Sequence, residues 1–281
     1  MNVSAPVAAR GGVELVAERW TPAKGARAHV VFVHGLGEHR RAMPYVPFYK
    51  KLAAAGFAVL AFDLRGHGES GGARLYARNF DLLAEDLRRV IALAADEAEG
   101  RQVFVLGGSF GGLLGLAAAQ EPHEALAGVV AVAPALDASG ASKLMRRLLP
   151  VFRTVAPRAL LDPGLDLTAL AHDAKAVEAY RTDPRMQLGK ITPSLAAATL
   201  AGIERVIGRA EDVDLPLLLM HGLADRIVPP DGTLAFHALA ASTDKTLVTY
   251  PDALHHLLLD DVREQVVHDI VGWLKSHVAR A

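Results

Sequence analysis

The sequence predicts an α/β protein: a mostly parallel central sheet flanked by helices, interrupted by an all-helical insertion. Three observations carry that prediction. Six short apolar runs alternate with helical patterns along the 281 residues, and strands alternating with helices pack as a parallel sheet covered on both faces. The alternation stops between about residues 136 and 212 and then resumes. A single serine, Ser109, sits in a knot of glycines where a predicted strand gives way to a predicted helix.

The elements follow in chain order. Residues 3–8 and 13–20 read as an antiparallel start. Buried strands are expected at 28–35 (AHVVFVHG), 57–63 (FAVLAFD), 102–108 (QVFVLGG), 126–134 (LAGVVAVAP), 215–222 (LPLLLMHG) and 245–251 (KTLVTYP). Each is built on a short apolar run, as a buried strand requires. Helices are expected at 80–98 and 263–278; the second repeats Val266, Ile270, Val271, Leu274 and Val278 at helical spacing. The stretches 142–161, 172–184 and 194–213 are helical in pattern, with no convincing strand among them. Some 75 residues far exceed a normal connection, so the insertion reads as a cap or lid. The expected division is a core of residues 1–135 and 213–281 with a helical cap at 136–212.

Composition narrows the function. A formal net charge of −1 offers no electrostatic reason to expect nucleic acid. With no cysteine, disulfides and thiolate chemistry are excluded, and a reducing compartment suits the chain. The first twenty residues lack a basic segment followed by a long apolar one, and no apolar run reaches the length of a membrane span. The expectation is a soluble, cytoplasmic protein. Composition does not set its oligomeric state.

Gly107-Gly108-Ser109-Phe110-Gly111 fits G-x-S-x-G. A serine at a sharp strand-to-helix corner projects its hydroxyl outward. Its neighbours two residues away must be small, because strand and helix nearly touch there. Such a hydroxyl needs a base within reach and a third group to orient the base. Reactive groups in this architecture gather at the carboxyl ends of parallel strands. Asp225, three residues past the 215–222 strand, is the preferred acid; Asp252 lies too near the histidines to approach from the far side. The base is His255 or its neighbour His256, after the last strand, with His255 preferred. The charged intermediate of acyl transfer needs two backbone N–H donors. Phe110 and Leu36, the latter in the His34-Gly35-Leu36-Gly37 turn, are the candidates.

Taken together, HGLGEH (34–39), FDLRGHGES (62–70), GGSFGG (107–112), YRTDP (180–184), HGLADRIV (221–228) and DKTLVTYPDALHH (244–256) resemble the α/β-hydrolases of the monoacylglycerol lipase type. These sit within the group also called serine aminopeptidase S33 or hydrolase-4. The resemblance runs from about residue 28 to the end and includes the cap. It implies Ser109, Asp225 and His255 as the triad, Leu36 and Phe110 as the oxyanion donors, and Gly35, Glu38 and Tyr180 as substrate-binding residues. Glu38 and Tyr180 match positions near the polar head of a bound monoglyceride. Two features depart from the pattern. Gly108 and Phe110 flank the serine where relatives often carry His and Met, and Ala42 stands where mammalian relatives carry arginine.

The leading expectation is therefore hydrolysis of monoacylglycerols or similar single-chain esters, without metal or cofactor. An aminopeptidase or amide hydrolase, a broad carboxylesterase or lysophospholipase, and a non-catalytic binding protein are the rivals. A peptidase would need acidic groups for a substrate amine, and the cap offers Asp166, Asp173, Glu178 and Asp183. The run 143–161, with Arg146, Arg147, Arg153 and Arg158 among leucines, is a candidate for transient contact with a lipid interface. RGHGESGG (65–72) lacks the lysine and spacing of a phosphate loop and reads as a turn.

Overall fold

The computed structural model describes residues 4–122, 125–139 and 143–278. Eight strands form one sheet: β1 (Ser4–Ala9), β2 (Val13–Trp20), β3 (Ala28–Val33), β4 (Phe57–Phe62), β5 (Val103–Gly108), β6 (Leu126–Val132), β7 (Leu217–Gly222) and β8 (Lys245–Tyr250). Their spatial order is β1-β2-β4-β3-β5-β6-β7-β8. β2 pairs antiparallel with β1 and β4, and every later pairing is parallel. All six strands expected from the sequence are present, and the N-terminal pair is antiparallel as expected; β8, expected to be buried, is instead the sheet's edge and is buried only at Tyr250. Its Val3 end lies outside the described residues.

The helices are α1 (Tyr45–Ala54), α2 (Phe80–Ala98), α3 (Phe110–Ala119), α4 (Lys143–Val155), α5 (Ala174–Arg181), α6 (Pro193–Gly208), α7 (Asp231–Leu239) and α8 (Arg263–His277). They cover both faces of the sheet. Along β3, Val31 and Val33 pack into one core with α2, α3 and α6. Val30 and Phe32 pack into the other with α1 and α8. The strand is apolar at every position but His29, because neither face meets water beyond that residue. α3 is buried along its whole length, which is why its sequence shows no polar face. α2 begins where Asn79 accepts the N–H of Leu82 at 3.1 Å, capping the first turn.

Between residues 136 and 212 the described residues form helices and 3-10 turns, with an isolated bridge between Leu161 and Ile191 but no strand. The helical pattern of 142–161 stops early, at Val155. Pro157 disfavours helical backbone at the residue before it. α5 starts at Asp173, whose carboxylate accepts from the N–H groups of Lys175 and Ala176. α6 is tied to the core at both ends. At its start, Thr192 and Ser194 hydroxyls donate to the carbonyls of Leu75 and Ala77. At its end, Gln120 Nε2 donates to the carbonyls of Val206 and Arg209 at 2.7 and 2.8 Å.

Candidate active site

Ser109 occupies the single residue between β5 and α3, at φ +49° and ψ −114°. That backbone region is strained for an L-residue and persists only where the surroundings hold it. Here they do. Ser109 N–H donates to the Val132 carbonyl at 2.9 Å, and the Ser109 carbonyl accepts from Leu113 and Ala135 at 3.0 Å each. A Cβ on Gly107 would sit 2.3 Å from the Gly111 carbonyl carbon, and one on Gly111 would sit 2.1 Å from the Val33 carbonyl oxygen. The two outer glycines of the motif are therefore required by contact. Gly108 has open space around it and is not.

The serine hydroxyl meets His255 Nε2 at 3.0 Å, and His255 Nδ1 meets Asp225 Oδ2 at 2.7 Å. An ionised carboxylate only accepts, so Nδ1 carries the proton and Nε2 presents its lone pair to the serine. Asp225 is buried, and its other oxygen accepts the N–H groups of Ile227 and Val228 at 2.8 and 2.9 Å. His221 adds a further donor to Oδ2 at 3.1 Å, while accepting at Nδ1 from Thr233 at 2.8 Å. Burial pushes the Asp225 carboxyl up, but His255, His221 and the Val228 N–H outweigh it and hold it well below the usual carboxylate range. The group stays charged where it faces the imidazole.

Ser109 and His255 open onto a cavity of about 190 Å³. Most of its lining comes from the 136–212 segment and is apolar, including Leu149, Leu167, Leu170, Leu188, Leu200 and Ile203. Leu36 and Phe110 also line it. Phe110 N–H is the first amide of α3 and so has no acceptor within the helix. Leu36 stands in the turn after β3. A Cβ on Gly35 would lie 2.8 Å from Glu38 Oε1, so a larger residue there must push the Glu38 carboxylate aside. Gly35 N–H donates to Glu38 Oε2 at 2.8 Å.

Glu38 lines this cavity and also a smaller recess of about 30 Å³ beside Ser109, shared with Tyr45, His255 and His256. Its buried carboxylate accepts from the Tyr45 hydroxyl. Burial raises the Glu38 carboxyl, but His256, Tyr180 and Tyr45 together bring it below its ordinary value. Tyr180 is fully buried and lines neither cavity; its hydroxyl lies 3.1 Å from His256 Nε2. Gly35 likewise lines neither. Both stand behind Glu38 rather than at the cavity wall. Ala42 is buried.

Several other residues sort themselves by their partners. His256 Nε2 meets the hydroxyls of Tyr180 and Tyr45 and not that of Ser109, so the adjacent histidines have different partners. His34 accepts the Leu64 N–H at 3.0 Å and donates to the Gly35 carbonyl at 2.8 Å, pinning the end of β3 to that of β4. Burial lowers its pKa and keeps it neutral. Asp252 is exposed. Ser70 stands in a second match to G-x-S-x-G, Gly68 to Gly72, which the motif alone does not tell apart from the first. No helix leaves this serine, and its hydroxyl is consumed by the Asp63 carbonyl at 2.6 Å and the Val16 N–H at 2.8 Å. Among the described residues, His172, Asp260 and Asp261 bring metal-type ligand atoms within 4.8 Å of one another. His172 lies far in sequence from the adjacent Asp260 and Asp261, and Asp260's oxygens are occupied by N–H donors.

Residues 24–262 match the family described as serine aminopeptidase, S33 (Hydrolase_4). The chain is 34% identical to a monoacylglycerol lipase of Mycolicibacterium smegmatis, over 95% of both chains. It is 30% identical to human monoglyceride lipase, over 96% of this chain and 89% of that one. Among solved structures it is similar to a monoacylglycerol lipase of Paleococcus ferrophilus, with a TM-score of 0.85 and 32% identity over 94% of this chain and 99% of the other. A carboxyl esterase of Bacillus coagulans shares the fold, with a TM-score of 0.83 at 20% identity over 99% of each chain.

Proposed function

The chain belongs to the serine aminopeptidase S33 family, and we propose that within it the protein is a serine carboxylester hydrolase. It cleaves monoacylglycerols, or similar single-chain acyl esters, to a fatty acid and glycerol or the corresponding alcohol. The observation that carries this reading is the Ser109–His255–Asp225 line opening directly onto an apolar cavity. Its relatives at 30 and 34% identity bear the names of monoglyceride lipases, which supports the glyceride as substrate.

The mechanism follows from the geometry. Ser109 Oγ attacks the acyl carbonyl carbon while His255 Nε2 takes its proton. The oxyanion that forms is held by the N–H groups of Leu36 and Phe110. Asp225 keeps the imidazole in the Nδ1–H tautomer and balances its charge when it becomes a cation. The tetrahedral species collapses, the ester C–O bond breaks, and His255 gives its proton to the departing alcohol oxygen. A water then repeats the sequence on the acyl-enzyme: His255 takes its proton, the hydroxide adds to the carbonyl, and Ser109 leaves with the proton returned. Gly35 holds the Leu36 turn. Glu38 and Tyr180 serve the alcohol side of the site, Glu38 at the wall and Tyr180 through it.

Residues 1–135 and 213–281 act as the core and 136–212 as a cap that encloses one acyl chain. The cap's outer face suits transient contact with a lipid interface. Leu144, Leu148, Val151 and Val155 form an exposed stripe along α4, with exposed Arg147 and Arg153 on the same helix. Of the expected arginines, Arg146 falls outside the described side chains and Arg158 stacks over Tyr76 at 5.0 Å. No helix among the described residues is long and apolar enough to cross a membrane. A cytoplasmic location fits the cysteine-free composition, and cell fractionation tests it. The peptidase reading is weaker: none of Asp166, Asp173, Glu178 and Asp183 lines the cavity, and of the carboxylates that do, Glu38 is engaged by Tyr45 and Asp137 by the N–H of Ser139. A fluorophosphonate probe with a monoacylglycerol assay tests the proposal. Wild-type protein is labelled and active; an unlabelled wild type, or equal labelling of Ser109→Ala, contradicts it.

A further inference from the structure

The segment carrying His255 is a tight loop after β8, and its shape depends on one carboxylate. Asp260 is 1% exposed and receives four hydrogen bonds. Its Oδ2 accepts the N–H of Leu254, the residue immediately before His255, at 2.7 Å. Its Oδ1 accepts the N–H groups of His172 and Asp261 at 3.0 and 2.9 Å, and His172 Nδ1 lies 2.8 Å away. The Asp260 N–H closes the loop onto the His256 carbonyl at 3.0 Å. One side chain therefore grips the backbone on the entry side of His255 and the backbone of the inserted segment together.

A second set of bonds runs in parallel. His256 N–H donates to the Leu170 carbonyl at 2.7 Å, and Leu170 lines the acyl cavity. The stretch from Leu170 to His172 is thus held against the histidine loop at two points, one of them Asp260. An isolated buried carboxylate is costly; one satisfied by several N–H donors is stabilised as the charged form and fixes the donors' positions in return. Asp260 touches neither Ser109 nor the cavity. Its side chain reaches the chemistry through backbone, at residue 254 and at His172.

We propose that Asp260 is a positioning residue: it sets the backbone that aims His255 at Ser109, and joins that backbone to the cap segment at His172. The proposal rests on the reading of His255 as the catalytic base. Asn at this position keeps one acceptor oxygen but turns an NH₂ toward an N–H donor, so one of the two links is lost. Glu keeps the charge but displaces it by a methylene. Misplacing a base by a fraction of an ångström costs rate while leaving substrate binding in place.

The test is steady-state kinetics of Asp260→Asn and Asp260→Glu, with kcat expressed per active site titrated by fluorophosphonate, on a short and a long p-nitrophenyl ester. Asp261→Asn, at the exposed neighbour, and His255→Ala are run alongside. Asp260→Asn is expected to lower kcat at least tenfold on both esters, with KM changed less than threefold. Asp260→Glu is expected to lose less, and Asp261→Asn to stay within twofold of wild type. The same variants read by proton NMR shift or broaden the low-field resonance of His255 Nδ1–H. If Asp260→Asn does not fold, Asp260→Glu carries the test with the same split of kcat from KM. Unchanged kcat per titrated site in the folded variants overturns the proposal, as does a loss confined to KM for the long ester. Full activity in His255→Ala overturns the underlying reading instead.

Discussion

α4 and α6 lie in the same inserted segment, both read as helices in the sequence, and they are held in opposite ways. α6 is stitched to the core through Thr192 and Ser194 at its start and Gln120 at its end, and Glu121 pairs with Arg205 and Arg209 at 2.6 and 2.8 Å. Its Gly202 rests against the Phe80 ring so closely that a Cβ would fall 2.4 Å from it. α4 has no such anchors among its described residues. It buries Leu149 against the cavity and leaves Leu144, Leu148, Val151 and Val155 in the open. α6 is a cavity wall fixed to the residues around α2 and α3, whereas α4 leaves an apolar face open, the face that the proposed lipid contact would use.

Changes to the fixed region should have the largest effects, beginning at the reacting atoms. Ser109→Ala and His255→Ala should each lower kcat by roughly 10⁴-fold or more, measured on a soluble ester, with the double variant little worse than either. His256→Ala should cost far less, since its ring faces Tyr180 and Tyr45. A dead His256→Ala with an active His255→Ala would move the base by one residue.

Next in size is the wall itself. Gly202→Val must displace the Phe80 ring and should destabilise by about 1–3 kcal/mol, seen as a Tm lower by several degrees. An unchanged Tm would show that α6 is less firmly seated than its contacts imply. The smallest effect on stability belongs to α4. The triple variant Leu148→Ser, Val151→Ser, Val155→Ser changes exposed positions, each worth within about 0.5 kcal/mol. Its Tm should match wild type, and so should its activity on a dissolved short ester. Its co-flotation with phospholipid vesicles and its rate on emulsified monoacylglycerol should fall. Unaltered flotation would remove the lipid-facing role from α4.

The same contrast explains what the sequence could reveal. The central strands were legible because burial on both faces keeps them almost wholly apolar, and the edge strand β8 because a short apolar run still stands among Lys245, Thr246 and Thr249. Ser109, Asp225 and His255 were legible because each follows such a strand, where the sheet gathers its loops. The motif alone would not have sufficed: Ser70 carries the same G-x-S-x-G spacing, and the strand running directly into Ser109 and the helix leaving it separate the two. What stayed hidden depends on pairs distant in the chain. The contact of Glu38 with Tyr45 was within reach of local reading, but those of Tyr180 with His256 and Asp260 with His172 arise only when the insertion folds onto the core. The anchors of α6 are of the same kind. A serine and a threonine at a helix start read as caps, not as donors to carbonyls 117 residues away.

The central claim is that the Ser109–His255–Asp225 line works beneath a roof that admits one acyl chain. A specificity profile of kcat/KM on the purified protein tests it most directly, across monoacylglycerols of increasing chain length, the matching triacylglycerols and a proline anilide. Each methylene buried in the cavity adds at most about 0.8 kcal/mol to transition-state binding. The profile should therefore climb with chain length, peak at a medium or long chain, and fall. Monoacylglycerols should exceed triacylglycerols by at least about tenfold, a difference of about 1.4 kcal/mol. Flat rates across mono- and triacylglycerols, or faster cleavage of the anilide than of any monoacylglycerol, would contradict the account.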